Sequence, residues 1–231
     1  MIDLFPHGFE EVERTDGVEL VAYTDASGEE RLWQAFGTAA GATVPDGWEH
    51  EWRRFHRPVR VGALWLGPPW ETPDTGAIPV VVDPGRAFGT GSHATTRLCL
   101  ELLQELPRGS LLDVGCGSGV LAIAAAKLGF APVTAVDVEP PAVEATRANA
   151  AANAVSVDAA LVDARSGLLP AADVAVANIT LAAVAEVAPR LVANELVTSG
   201  YLDADRPAAA GWRHVERRTS GGWAADRWSH A

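Results

Sequence analysis

The stretch Leu111-Leu-Asp-Val-Gly-Cys-Gly-Ser-Gly119 constrains this chain more than any other. A short apolar run reaches Asp113, then breaks into glycines at 115, 117 and 119 that alternate with Cys116 and Ser118. A helical pattern from Val120 to Leu128 follows at once. The pattern predicts a strand, a tight turn and a helix. Glycine there removes the Cβ atoms that would hold a ligand off the backbone and allows positive φ where the chain turns sharply. A flat or negative group can then lie against amides near a helix N-terminus. Two phosphate signatures fit poorly. A dinucleotide fingerprint needs glycine at the sixth position, where Val120 stands, and no Lys-Ser/Thr pair ends the turn as in a Walker loop.

Downstream, Pro132-Val-Thr-Ala-Val-Asp137 reads as a second buried strand with a carboxylate at its C-terminal end. In a doubly wound parallel sheet such a carboxylate faces the ribose hydroxyls of a nucleoside bound across the strand ends. Glycine turn and acid together predict nucleoside binding. The alternative is a strand-turn-helix with no ligand and a solvated Asp137.

A chain of 231 residues can be one large domain or a core domain with a small appendage. No apolar run approaches the ~20 residues of a membrane span. The start, Met-Ile-Asp-Leu-Phe-Pro-His, has no basic region followed by an apolar stretch, so no secretory signal and cytoplasmic residence are expected. Cys99 and Cys116 have neither metal spacing nor a disulfide framework and are expected as free thiols. The net charge of −12 argues against a sequence-independent grip on a nucleic acid backbone. It suits a basic protein partner, or solubility alone.

Residues 1 to about 70 hold five of the eight tryptophans and 12 of the 30 acids, a texture that marks them off from the rest. Val18 to Tyr23 reads as a strand, Glu29 to Ala40 as a helix, and Asp46 to Phe55 as a second, aromatic-faced helix. Trp48, Trp52 and Phe55 suit either a packed face or contact with a macromolecule. Val59 to Leu66 is a strand or an extended connector, and Gly67 to Gly76 is dense in turn residues. The division expected is a small α+β recognition domain over 1–56, a stiff linker over 57–76, and a catalytic domain over 77–231.

Ile78 to Asp83 is apolar and extended and leads into Pro84-Gly-Arg-Ala-Phe-Gly-Thr-Gly-Ser-His-Ala-Thr-Thr96. That loop offers hydroxyls and amides that could close over a ligand held by the glycine turn. It could equally be a connector in which Thr95 or Thr96 caps a helix over Arg97 to Leu106. His93 suits a structural hydrogen bond or a base. Beyond Asp137 come a helix from Pro140 to Asn153 and a strand from Val155 to Val162. Asp163 follows, able to accept an adenine amine or to serve as a plain loop aspartate. Asp173 to Ile179 is a fourth strand. Asn178 ends it, either facing a ligand or capping the helix Leu181 to Ala193. Strand Glu195 to Ser199, a short helix around Ala204 to Ala210 and a Gly-Gly hairpin of Trp212 to Thr219 and Trp223 to Trp228 complete the chain.

Asp113 to Gly119 with Asp137 resembles the first motif and the ribose acid of class I S-adenosylmethionine-dependent methyltransferases. More narrowly, Asp83 to Thr96, Ala177-Asn-Ile179 and Gly222-Trp-Ala-Ala look like the bacterial PrmA family, methyltransferases of large-subunit ribosomal protein eleven. Glu51 to Val61 and Gly67-Pro-Pro-Trp70 also fit that family, so the likeness runs from about residue 46 to the end. It implies a Rossmann-like α/β sheet, mostly parallel with an antiparallel C-terminal hairpin, and S-adenosylmethionine as cofactor. It implies cofactor contacts at Phe88, Gly89, Thr90, Thr96, Asp113, Gly115, Gly117, Gly119, Asp137, Asp163 and Asn178, with Asn178 and Ile179 at the reacting centre. Acceptors would be lysine and N-terminal α-amino groups of a ribosomal protein, with no direct nucleic acid or membrane partner. The first 56 residues are shorter than the family's usual recognition domain, so another protein or small amine as acceptor, or a module that binds cofactor without transfer, are the rival expectations. Ala94 stands where the family commonly has proline, and Thr180 where leucine usually follows Asn-Ile.

Overall fold

The computed structural model of the chain describes residues 10–14, 17–21, 32–36, 57–83, 91 and 93–230. The chain divides into two compact units, Met1–Trp52 and Arg53–Ala231. In the first, β1 (Glu10–Arg14) and β2 (Gly17–Val21) pair antiparallel, and residues 32–36 are helical. The helix expected over Asp46 to Phe55 lies outside the described residues.

The second unit is built on a seven-stranded sheet. Its strands are β6 (Leu111–Val114), β7 (Val133–Asp137), β8 (Asp158–Leu161), β9 (Val174–Asn178), β10 (Glu195–Leu202), β11 (Trp212–Ser220) and β12 (Trp223–His230), in the order β11-β12-β10-β9-β6-β7-β8. The five from β10 to β8 run parallel, and β12 returns antiparallel to β10 and β11. Sidedness follows from the period of two along each strand. Leu111, Val174, Val176 and Val197 face a core shared with α1 (Ala94–Glu105), α2 (Val120–Leu128) and α3 (Pro140–Ala152). Leu112, Val114, Ala175, Ala177 and Leu196 face a second core with Val187, Ala188 and Leu191, which come from α4 (Leu181–Val187) and the 3₁₀ turn and chain after it. Both faces are covered, which is why the central strands read as apolar runs without alternation.

Residues 59–67, inside the stretch expected to be a linker, form a hairpin. β3 (Val59–Val61) turns at Gly62, whose φ is +58°, into β4 (Leu64–Gly67), and β5 (Ile78–Val81) adds parallel to β4. Val61, Leu64, Leu66 and Val80 are buried in the same core as α1 and α2, so this small sheet is part of the second unit.

Three helical expectations change, two at one end and one altogether. α1 begins at Ala94, three residues early, because His93 is its N-cap and accepts from the Thr95 amide through Nδ1. Thr95 and Thr96 are therefore buried in the first turn and cap nothing. Ala94 occupies the first helical position, where proline and alanine are both accommodated. α4 stops at Val187. Pro189, which has no N–H, sits in the 3₁₀ turn Ala188–Arg190, and Trp212 Nε1 donates to the Ala188 carbonyl at 2.9 Å. No helix forms at 204–210. The Arg206 and Arg217 guanidiniums donate to the carbonyls of Asp203 and Asp205 that such a helix would use. Among the described residues no helix is long and apolar enough to cross a membrane.

Candidate functional site

The chain reverses its direction of travel across the sheet between β6 and β9. β7 and β8 are added on one side of β6, β9 and β10 on the other. At such a switch point the loops leaving the two strands diverge and open a crevice at their carboxyl ends. The glycine turn leaves β6 there, and Asn178-Ile179 ends β9 opposite it, since Val114 pairs with Ala177.

The turn has the conformation its glycines permit. Gly115, Gly117 and Gly119 have φ of +73°, +53° and +82°, a region in which a Cβ clashes with the backbone. Gly119 N-caps α2 in the left-handed conformation. Closeness matters as well as conformation. A Cβ on Gly115 would run into Ile179 Cγ2, and one on Gly119 would meet Thr146 at 2.9 Å.

Asp137, at the end of β7, turns its carboxylate into this bend. Oδ2 accepts from the Gly117 amide at 3.0 Å and Oδ1 from the Glu139 amide at 3.0 Å. A carboxylate has about four lone-pair sites, so one on each oxygen remains for a diol. Asp113 lies beneath the turn, 1% exposed. Its Oδ2 accepts from the Ala122 amide in the first turn of α2 at 3.1 Å, and its Oδ1 has no hydrogen-bond partner among the described residues. Burial, opposed by the Ala122 bond and reinforced by the nearby Asp137 charge, pushes its carboxyl up to about 7. Burial also pushes the Cys116 thiol up to about 12, so that sulfur is no nucleophile at neutral pH. Cys99 is buried and free too.

On the far side of the crevice, Asn178 Nδ2 lies 3.4 Å from Thr96 Oγ1, a contact spanning 82 residues. Asn178 does not cap α4. Thr180, the residue that departs from the family pattern, does, accepting from the Ala183 amide. Ile179 is fixed from below. Its amide donates to the Ser199 carbonyl, and β10 bulges at Gly200 (φ +102°), where any Cβ would strike the Ile179 carbonyl. His93 sets its ring edge against Trp223 of the closing hairpin, with centroids 4.7 Å apart and planes at 72°. Its Nδ1 is already engaged with Thr95, a structural use of the ring.

Of the residues singled out in the sequence, Thr96, Asp113, Gly115, Gly117, Gly119, Asp137, Asn178 and Ile179 thus gather around one crevice. Asp163 is two residues beyond β8, at the same end of the sheet, but its carboxylate is held by Arg165, with Nε to Oδ1 at 3.0 Å. The Arg165 side-chain bond keeps that carboxyl below its ordinary value. Phe88, Gly89 and Thr90 lie outside the described residues.

Residues 13–225 match the family model described as ribosomal protein L11 methyltransferase (PrmA). The chain belongs to the PrmA family. Ribosomal protein L11 methyltransferases of Symbiobacterium thermophilum and Shewanella piezotolerans are 42% and 46% identical to it, over 76% and 67% of its length. The chain spans only 59% and 54% of those two PrmA relatives. A crystal structure titled ribosomal protein L11 methylase, from Lactobacillus delbrueckii subsp. bulgaricus, superposes with a TM-score of 0.69 at 26% identity. That match covers 76% of this chain and 99% of that one. The sheet of this PrmA family member, mostly parallel with an antiparallel hairpin at one edge, is the fold that the family resemblance and the Gly-Gly pair led one to expect.

Proposed function

We propose that the chain transfers methyl groups from S-adenosylmethionine to amino groups of a protein, with ribosomal protein L11 as the substrate. The observation that carries this is the convergence of the Gly115–Gly119 bend, the Asp137 carboxylate and the Asn178–Ile179 strand end on one crevice. S-adenosylmethionine fits these groups. Asp137 keeps acceptor sites for the two ribose hydroxyls, and the glycines leave room against the backbone where any side chain would intrude. When bound, it supplies an electrophilic methyl with a good leaving group already attached.

The protein then needs alignment and the exclusion of water, with no nucleophile of its own. The acceptor must arrive as a neutral amine. A lysine with a solution pKa near ~10.4 sheds its proton to water on entering an apolar crevice, where the charged form is penalised. With the Asn178 amide nitrogen turned toward Thr96, its carbonyl oxygen is the atom that accepts the hydrogens of the amine and aims the lone pair. Ile179, packed on Gly115, supplies the apolar wall. His93 caps α1 and does not act as the base.

The first unit would carry substrate recognition, and the acidic chain, at −12, suits a basic ribosomal protein. A ribosomal substrate also places the reaction in the cytoplasm. The test is transfer of labelled methyl from S-adenosylmethionine to purified L11 and to whole lysate. Label on L11 is expected. Label only on another band would move the substrate, and no label anywhere would reduce the chain to a binding module.

A further inference from the structure

Helix α3 contributes nothing to the crevice directly, yet it carries a buried polar seam behind it. Thr146, Asn149 and Asn153 recur at helical spacing on one face and are all buried. Thr146 Oγ1 donates to the Gly117 carbonyl at 3.1 Å and also reaches Cys116 Sγ. Asn149 Nδ2 donates to the Ser118 carbonyl at 2.9 Å, while its Oδ1 accepts from the Asp83 amide at 3.2 Å. Asn153 accepts from the Val81 amide at 2.9 Å and donates to the Asn149 carbonyl at 2.8 Å. Buried amides cost stability unless satisfied, so a helix face built this way has a geometry to hold.

The two carbonyls pinned to α3 belong to consecutive peptides of the glycine bend. Glycine peptides rotate at little cost, because positive and negative φ are equally open to them. Were the Ser118 carbonyl to swing into the crevice, its partial negative charge would face the ligand. Its anchorage on the α3 side, with the Gly119 amide donating to the Cys116 carbonyl at 2.8 Å within the turn, holds that carbonyl away from the crevice and keeps its negative end off a carboxylate or hydroxyl.

Granting the cofactor site proposed above, on which this rests, we propose that Asn149 is a positioning residue for S-adenosylmethionine. It fixes the orientation of the Ser118–Gly119 peptide and ties the bend to the end of β5 without touching the ligand. Asn149→Asp separates its two functions. The carboxylate can still accept from the Asp83 amide but repels the Ser118 carbonyl instead of donating to it.

The experiment measures S-adenosylmethionine affinity by calorimetry, methyl-transfer kinetics and the melting temperature of the ligand-free protein for wild type, Asn149→Asp, Asn149→Ala and Asn153→Ala. The last breaks the same seam at β5 without touching the bend. Loss of a buried donor predicts Kd and KM for the cofactor about tenfold or more above wild type in both Asn149 variants, with kcat at saturation within about threefold. Asn153→Ala should lose melting temperature but keep its cofactor affinity. Wild-type affinity in the Asn149 variants overturns the proposal, as does an equal affinity loss in Asn153→Ala. Absence of cofactor binding by the wild type itself would instead remove the proposed function, and this inference with it.

Discussion

The Asp137 carboxylate accepts a hydrogen bond from the Gly117 amide at 3.0 Å, across 20 residues of chain. The acid that ends β7 and the bend that ends β6 are therefore held together by the chain's own hydrogen bond, which lowers the ordering cost of binding a ligand between them. Asp137→Ala is expected to raise the S-adenosylmethionine Kd at least tenfold, since each charge-assisted bond to a ribose hydroxyl is worth ~1.5–3 kcal/mol. Unchanged affinity by isothermal calorimetry would remove the ribose assignment.

Asn178→Ala separates alignment from affinity. The carbonyl oxygen proposed to aim the amine is lost while the glycine bend and Asp137 remain. Single-turnover methyl transfer should slow about 100-fold, the scale of a small misplacement of reacting groups, with cofactor Kd changed less than tenfold. A variant that binds poorly but transfers normally once saturated would reassign Asn178 to cofactor holding alone.

Gly115→Ala tests the close approach of β6 and β9. The new Cβ meets Ile179 Cγ2 at a φ of +73°. The backbone term alone costs roughly 1–2 kcal/mol, and displacement of Ile179 adds to it. Urea unfolding should show a loss of that size or larger, together with weaker cofactor binding. At Gly76, also at positive φ (+77°) but with open space around it, the same substitution should show the backbone term without the binding defect.

Asp113 gives the ligand-free protein a pH dependence of definite sign. Its carboxyl is pushed by burial from 3.8 to about 7 in the folded protein. The folded state thus keeps a proton that the unfolded chain has already released. Its contribution is most favourable below pH 4, declines as pH rises, and levels off above about 7. At 1.36 kcal/mol per unit the full span is about 4 kcal/mol as an upper limit. Denaturation curves between pH 5 and 8 should show wild type losing stability relative to Asp113→Asn as pH rises. Parallel pH profiles for the two proteins would contradict the buried, proton-retaining carboxyl.

Much of the architecture was legible because its signals are local. The helix read from Val120 to Leu128 has those bounds, and the Gly-Gly pair closes the final hairpin with both glycines at positive φ. The helix expected at 204–210 fails for a distant reason. That stretch has helical propensity, but Arg217, in β11, competes for its carbonyls alongside Arg206. Residues 59–66, read as a strand or an extended connector, are strands, and Gly62 folds them into a hairpin that shares the core of α1 and α2, a packing that no local signal carries.

The sequence by itself determined that this protein has a glycine bend between strand and helix, an acid one strand later and an amide at the end of a fourth strand. Spacing and backbone freedom are properties of neighbouring residues, so they can be read without coordinates. Only the tertiary structure decided that Thr180, and not Asn178, caps α4, that Arg165 engages Asp163, and that Asn149 holds the bend from behind. A side-chain amide or carboxylate can satisfy many partners. Which one it takes depends on what the packed chain brings within about 3 Å, often from residues far away in the sequence.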